Sequence, residues 1–344
     1  MKTMMLTGIK KMVMREVAEP QLMKPDDVKI KMSVVGVCGS DIHYYNQGRI
    51  GSQIVNYPFT VGHEAAGVVV ETGSSVKRVK KGDHIAIEPS MPCHECDQCL
   101  AGRPNTCRKL KFLGCPGQAD GCLSEYIVMP ETSCYRLSGD LTADRGALSE
   151  PLSIGLYAVK RSVNVKGASV GILGFGPIGM SVMLAARAYG CKTFYITDKV
   201  SERLAIAGIE GAKVAANASD EDIVRTILYR EPLGLDVVFE CCGQQEAFDQ
   251  AVELLKPGGK LMVAGIPEFD KWSVNVEKTR RKEITVQFVR RQIDCTEPAL
   301  EMMNNGQIDV SNMITHHFPF AQTVEAFDLV ADYRDGVMKA MVEF

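Results

Sequence analysis

The chain has 344 residues, 46% of them apolar and 24% charged, and a formal net charge of −3. This is enough material for two packed domains, and the composition excludes a disordered, collagen-like or coiled-coil chain. The acidic balance and the shortness of the basic runs, such as Arg280-Arg281-Lys282, exclude a nucleic-acid partner.

Residues 1–10 hold no long apolar core and no small-residue cleavage site. The most apolar stretch, 171–190, is broken by glycines, Pro177 and Arg187. The expectation is therefore a cytoplasmic protein with no secretory signal and no membrane partner. Twelve cysteines are many for such a chain. Disulfides are not expected in a reducing compartment, and metal explains a good part of the count better.

Residues 1 to about 150 are rich in glycine and in short strand-like runs. Val28, Ile30 and Met32 alternate with lysines like a half-buried strand, and 67–71 reads as another. The expected result is an irregular β-barrel-like domain with functional loops. Three of its loops carry metal-ligating residue types: Cys38 in Gly36-Val37-Cys38-Gly39-Ser40-Asp41, His63-Glu64 after Gly62, and Glu150 in Ser149-Glu150-Pro151. One Cys, one His and a carboxylate suit a catalytic zinc that keeps a position open. Spacing alone leaves the alternative that each is an ordinary loop residue. Cys93, Cys96, Cys99 and Cys107 are a sharper signal. Four soft thiolates in one polar loop can surround a tetrahedral, closed, structural zinc, and iron–sulfur clusters use other spacings.

From about 151 the rhythm changes. A strand over 168–173 runs into Gly174-Phe175-Gly176-Pro177-Ile178-Gly179, and a helix follows over 177–188. Further strands are expected over 192–197, 235–239, 260–264 and 284–288. Strands alternating with helices mean βαβ units and a parallel sheet. The glycine motif between strand and helix marks a dinucleotide site. Gly174 makes the tight turn, Gly176 admits the pyrophosphate and Gly179 lets helix and strand pack, while Pro177 starts the helix at no hydrogen-bonding cost. Asp198, 19 residues beyond Gly179, stands where an acid binds the ribose hydroxyls and repels a 2′-phosphate. NAD is favoured over NADP.

The remaining residues, 294–344, hold two helices (298–304 and 321–333), a loop with His316-His317 and a last strand. They are too few for a domain and are expected to return to the first. His84, His94, His316 and His317 are read as structural or solvated. Cys115, Cys122, Cys134, Cys191, Cys241, Cys242 and Cys295 are read as small buried hydrophobes.

Taken together, these motifs resemble the zinc-containing medium-chain dehydrogenases, and within them the sorbitol (polyol) dehydrogenases. The resemblance spans essentially the whole chain. Its sharpest matches are Val37-Cys38-Gly39-Ser40-Asp41-Ile42-His43-Tyr44, Gly48-Arg49-Ile50-Gly51, Gly62-His63-Glu64-Ala65-Ala66-Gly67 and Glu150-Pro151-Leu152-Ser153. It implies a mixed α/β fold. A GroES-like β-rich catalytic domain would span 1–152 and a Rossmann NAD-binding domain with a doubly wound parallel sheet 153–293, with 294–344 returning to the first. It implies that Cys38, His63 and Glu64 bind the catalytic zinc with Glu150 beside it, giving two zinc ions per chain with the cysteine loop. Asp41 would orient His63. Tyr44 and Glu150 would face the substrate, and Ser40 and His43 are proton-relay candidates with Glu150 as their rival. Ile178, Asp198, Arg203, the backbone at Ala264, Gly265 and Ile266, and that at Val289, Arg290 and Arg291 would contact NAD. The implied assembly is a homotetramer, with a dimer as second choice.

Two departures bear on the substrate. Where the polyol enzymes tend to carry Arg-Tyr, this chain reads Arg290-Arg291-Gln292. A gap-free register from the helix after Pro298 places Arg291 on the family Arg, and a shift of one residue chooses Arg290. The extra cation would suit a phosphorylated or acidic polyol. The loop Gly114-Cys115-Pro116-Gly117, expected near the pocket, also differs. The implied activity is NAD-dependent oxidation of a secondary polyol hydroxyl of the sorbitol or xylitol type to the ketose. A diol or threonine dehydrogenase on the same scaffold and a catalytically silent NAD-binding sensor remain as alternatives.

Overall fold

The computed structural model describes residues 1–344. It divides into two units, Met1–Glu150 together with Thr296–Phe344, and Pro151–Cys295. The first break falls two residues before the expected 152/153 and the second two residues after the expected 293/294. No helix is long and apolar enough to cross a membrane.

The spine of the first unit is the strand Asp27–Gly36, whose Val28, Ile30, Met32 and Val35 are fully or almost fully buried. At ten residues it is long enough to pair with three others. Glu64–Thr72 runs antiparallel along one edge; Tyr126–Pro130 and then Lys339–Glu343 run antiparallel along the other. His84–Ile87 and Cys134–Arg136 extend the first side, and Ile314–Pro319 lies parallel to Lys339–Glu343 on the second. The C-terminal segment thus supplies strands to the first sheet. Lys29, expected on the solvent side, is buried and reaches Glu19 with its ammonium at 2.8 Å.

Three sequence expectations need correction. His316 and His317 lie in the strand Ile314–Pro319, not in a loop. Both rings sit against acids, His316 Nε2 3.1 Å from Asp335 and His317 Nδ1 2.8 Å from Glu343. This strand lies at the sheet margin and carries few apolar residues, so the two-residue hydrophobic period that betrays strands is missing. The helix expected over 321–333 begins as a 3₁₀ turn, Phe320–Gln322, and ends at Ala331. Cys242 is exposed and Cys241 half-buried, whereas Cys115, Cys122, Cys134, Cys191 and Cys295 are buried.

The helix Gly39–Gln47 follows directly on the spine strand. Cys38 is its N-cap, and Asp41 in the first turn reaches back to accept the Cys38 backbone N–H at 3.3 Å. The turn that carries Cys38 is thereby fixed. The helix packs on the returning C-terminal segment: Tyr45 meets Phe327 edge-on at 5.4 Å and donates its hydroxyl to Asp328 at 2.7 Å.

The second unit is a six-stranded, wholly parallel sheet. Its order is Val214–Asn217, Thr193–Asp198, Ser169–Leu173, Leu235–Glu240, Leu255–Val263, Thr285–Phe288. The chain winds outward in one direction from Ser169–Leu173 and then in the other from Leu235–Glu240, so the order reverses between these two neighbours. The central strands are buried on both faces, as their continuous apolar runs require.

Phe327→Ala should lower unfolding stability by about 3–5 kcal/mol, since it empties a fully buried aromatic site. Denaturant unfolding followed by circular dichroism reads this directly, and a cost below about 1 kcal/mol would mean that the C-terminal return is not held by this contact.

Candidate functional site

Cys93, Cys96, Cys99 and Cys107 bring their four sulfur atoms within 4.8 Å of one another. Neighbouring Sγ–Sγ distances run from 3.4 to 3.9 Å, and no pair is at bonding distance. A tetrahedron of zinc–sulfur bonds near 2.3 Å has edges of about 3.8 Å, so the donor set fits a closed zinc site. The loop is prepared to hold thiolates. Backbone N–H groups of Cys99 and Arg108 pull the Cys96 thiol down to about 6, and those of Cys93 and Lys109 donate to Cys107 Sγ at 3.3 Å. Arg108 pairs with Asp97 and Lys109 with Glu95 on the loop surface. His94, between the cysteines, is exposed.

A second set, Cys38, His63 and Glu64, also has donor atoms within 4.8 Å of one another. Cys38 caps the helix after the spine strand, while Glu64 opens the paired strand. The register Gly36↔Glu64 is what brings the two loops together. His63 is buried, with Nδ1 3.4 Å from Asp41 Oδ1 but without a well-directed hydrogen bond. That leaves Nε2 for a metal, the usual division of an imidazole between a ligand and a carboxylate behind it. Burial alone would lower the pKa of His63; the Asp41 carboxylate and the Cys38 sulfur overcome it and hold the ring well above the usual range. The surroundings thus call for a cation at this point. Ser40 donates its hydroxyl to Cys38 Sγ at 3.4 Å, and His43 stands one turn further along the same helix, half-buried.

Lys339 is not among the site residues expected from the sequence. Its ammonium is fully buried, 2.8 and 2.5 Å from the two oxygens of Glu64 and 3.1 Å from the Val37 carbonyl. A single lysine among the apolar residues 337–342 of the last strand was the available signal, because a charge placed there must have a partner. Glu150 is buried nearby but is not part of the three-residue donor set. Burial pushes its carboxyl up to about 8, Glu64 and Glu88 add to the rise, and His63 and Lys339 oppose it.

The loop around Phe112 closes over this centre. The Phe112 ring packs on His63 at 5.3 Å. Gly114, at φ +70°, lies so close to Gly62 that a side chain would reach to 2.6 Å of its carbonyl oxygen. This anchors Cys115 against Tyr44. Gln53 donates to Cys115 Sγ at 2.9 Å and accepts from the Tyr44 hydroxyl at 3.3 Å. Tyr44, expected to face the substrate, is therefore held in a polar group with Cys115, whose loop was expected near the pocket, and with Gln53, which was not foreseen.

In the second unit the glycine motif forms the expected turn. Gly174 has φ +94°, and a side chain there would come to 2.7 Å from Cys242 Cβ. Gly176 is the N-cap and Pro177 the first residue of the helix Pro177–Ala188. The N–H groups of a helix's first turn have no partner within the helix, which is the arrangement that suits a pyrophosphate. Asp198 ends the second strand and accepts the N–H groups of Phe175 (2.6 Å) and Val200 (2.9 Å), which aims its carboxylate at the turn. Arg203 is buried beside Gly176, and Ile178 is half-buried at the helix start. Ala264, Gly265 and Ile266 leave the fifth strand, with the first two N–H groups on the Glu240 carbonyl. Val289, whose N–H reaches the Val263 carbonyl at 2.8 Å, leads from the sixth strand to Arg290 and to Arg291, a non-glycine residue at φ +52°.

Comparison with known proteins agrees with this geometry. The alcohol dehydrogenase GroES-like domain matches residues 24–139 and the zinc-binding dehydrogenase domain residues 177–305. Sorbitol dehydrogenase of Bacillus subtilis (strain 168) is 34% identical over 318 residues, covering 92% of this chain and 90% of the relative. L-idonate 5-dehydrogenase of Vitis vinifera is 36% identical over 333 residues, covering 95% and 90%. A structure from Sinorhizobium meliloti 1021, named provisionally as a zinc-binding dehydrogenase and solved bound to NADP, superimposes with a TM-score of 0.90 at 30% identity, covering 100% of this chain and 99% of that one. The chain belongs to the zinc-dependent medium-chain dehydrogenases, and among them to the sorbitol-dehydrogenase type. It is an oxidoreductase that acts on alcohols with zinc and a nicotinamide cofactor.

His63→Ala should remove one zinc per chain and leave the zinc of the cysteine loop, because the two donor sets share no residue. Metal analysis of purified wild type and variant checks this. Equal zinc contents would show that His63 is not a ligand.

Proposed function

We propose that the protein oxidises a secondary hydroxyl of a polyol to the ketone, with NAD as acceptor and two zinc ions per chain. The observation that carries this reading is the Cys38–His63–Glu64 donor set with the Tyr44–Gln53–Cys115 group fixed to it through the Phe112 loop. A mixed S, N, O set suits a metal that must also accept an exchangeable ligand. A hydroxyl and a carboxamide beside it suit a substrate with more than one hydroxyl. The likeness to sorbitol dehydrogenase supports the same class.

When bound, zinc supplies a Lewis acid that polarises the reacting hydroxyl, and the nicotinamide accepts the hydride. The chain does the rest. Cys38, His63 and Glu64 would hold the metal, with Asp41 fixing the imidazole. Lys339 holds Glu64 in place. The hydroxyl proton needs an acceptor within one or two hydrogen bonds. Glu150, buried close to the donor set, is placed to take it, and Ser40 and His43 offer the alternative route. Phe112 and the buried apolar wall limit water at the centre.

Asp198 supports NAD over NADP, because its fixed carboxylate would repel a 2′-phosphate. Arg290 and Arg291 widen the substrate class to acidic or phosphorylated polyols. The strand Thr285–Phe288 is an open sheet edge with Phe288 58% exposed, which supports a homo-oligomer, a tetramer first and a dimer second.

The direct test is NADH formation across sorbitol, xylitol, other polyols, vicinal diols, threonine and simple alcohols. Turnover highest on a polyol is expected. Turnover confined to diols or threonine would replace the substrate class, silence across the panel in a two-zinc protein would move the substrate to phosphorylated or cyclic polyols, and silence with one zinc per chain would favour the non-catalytic reading. Asp198→Ala should narrow the NAD-to-NADP preference by about tenfold or more, the scale of one lost charged contact. An unchanged ratio of kcat/KM values for the two cofactors would remove Asp198 from that role.

A further inference from the structure

Glu240 ends the fourth strand of the second unit, beside the point where the strand order reverses. It has no solvent exposure and no ion pair. One oxygen, Oε1, accepts the backbone N–H groups of Cys242 (2.9 Å) and Gly243 (2.6 Å) and the Cys242 thiol (3.2 Å). Burial raises the pKa of this carboxyl, and the converging donors, with the Gln244 N–H at 3.4 Å, oppose that rise by favouring the charged form. The other oxygen, Oε2, is buried with no hydrogen-bond partner. It points at Gly265, where a side chain would come to 2.6 Å of it. The backbone carbonyl of the same residue accepts from Ala264 and Gly265 at 2.8 and 3.0 Å.

Glu240 therefore joins three pieces of backbone. It holds the turn 241–244 from beneath and ties down 264–266. Through Cys242 it also abuts Gly174, the first glycine of the dinucleotide turn. In open α/β sheets a dinucleotide lies outside the carboxyl ends of the strands at the point where their order reverses. A buried carboxylate with one unsatisfied oxygen at that place is costly to maintain. The fold alone does not require it, since an uncharged amide could take the same backbone hydrogen bonds on one oxygen.

The cost has a use if the bound cofactor is charged. The oxidised nicotinamide ring carries a positive charge that the reduced ring has lost. We propose that Glu240 is a positioning residue of the cofactor site that also sets its redox preference: it fixes the turns 241–244 and 264–266 and favours the oxidised, cationic nicotinamide over the reduced, neutral one. The proposal rests on the reading of this unit as the cofactor site. It extends that reading by assigning the site's relative affinity for the two redox forms of the cofactor.

The test compares the affinities of the zinc-loaded protein for NAD⁺ and for NADH, each titrated without substrate, in wild type and in Glu240→Gln. The glutamine keeps an oxygen for the backbone donors and removes the charge. NAD⁺ binding should weaken relative to NADH by about tenfold, the scale for unit charges roughly 10 Å apart at an effective dielectric of about 20. Glu240→Asp, which retains the charge, should restore part of the ratio. A purely structural role would weaken both forms equally, and that result, or an unchanged ratio, overturns the proposal. Should Glu240→Gln fail to fold, wild type decides. It should bind NAD⁺ several-fold more tightly than benzamide adenine dinucleotide, the uncharged analogue of the same shape, and equal affinities would overturn the proposal. Wild type that binds neither NAD⁺ nor NADH would sink the cofactor reading itself, a failure distinct from an unchanged ratio.

Discussion

Buried charge at the metal centre is out of balance, and much of the first unit is arranged around that fact. Asp41, Glu64 and Glu150 are buried together with a half-buried cysteine sulfur, and Lys339 is the ammonium that faces them. Carboxylates withdrawn from water cost several kcal/mol each unless paired. Lys339 satisfies Glu64, while Asp41 and the Cys38 sulfur outweigh burial to raise the pKa of His63, and burial raises that of Glu150. A divalent cation on the Cys38–His63–Glu64 set would close the deficit. The topology follows from this need. Lys339 lies near the end of the chain, so the C-terminal segment must return and pair with the spine strand to deliver it. Tyr45, Phe327 and Asp328 fasten that return onto the helix that Cys38 caps. Metal binding and the closure of the first unit are one problem with a shared set of residues.

The second unit uses backbone where the first uses side chains. Its glycine turn, helix N-terminus and strand-end acid present N–H groups and one carboxylate, and the sheet around them is apolar. Asp198 and Glu240 are the two acids at the strand ends, and they behave differently. Asp198 has both oxygens directed by backbone donors and stays half-exposed. Glu240 is sealed beneath the turns, with one oxygen satisfied and one not. Two acids at strand ends on either side of Ser169–Leu173 thus sit in very different surroundings.

Much of this was legible in the sequence, and the parts that were not share a cause. The parallel sheet, the glycine turn and the cysteine loop depend on local patterns: alternating periods, a six-residue motif and a fixed spacing. Each can be read from a window of ten to twenty residues. The single-residue partners come from far along the chain. Lys339 meets Glu64 across 275 positions, and Gln53 meets Cys115 across 62. No local pattern marks such pairs; only an out-of-place charge, as at Lys339, hints that one exists. Cys242 misled for a related reason. Its neighbours are those of a buried strand, but the chain turns at Glu240 and leaves the residue exposed beside the glycine loop, with its thiol turned in toward Glu240. The strand with His316 and His317 lacks an apolar face to announce it.

Zinc K-edge absorption on the wild-type protein as purified tests the central claim, that this chain carries one closed and one open zinc centre. A sulfur-only site and a mixed site in equal amounts predict an average shell of about 2.5 sulfur and about 1.5 nitrogen or oxygen neighbours per zinc. A shell of four sulfur atoms alone, with one zinc per chain, would mean that the Cys38–His63–Glu64 set holds no metal, and the account of the catalytic centre would fail.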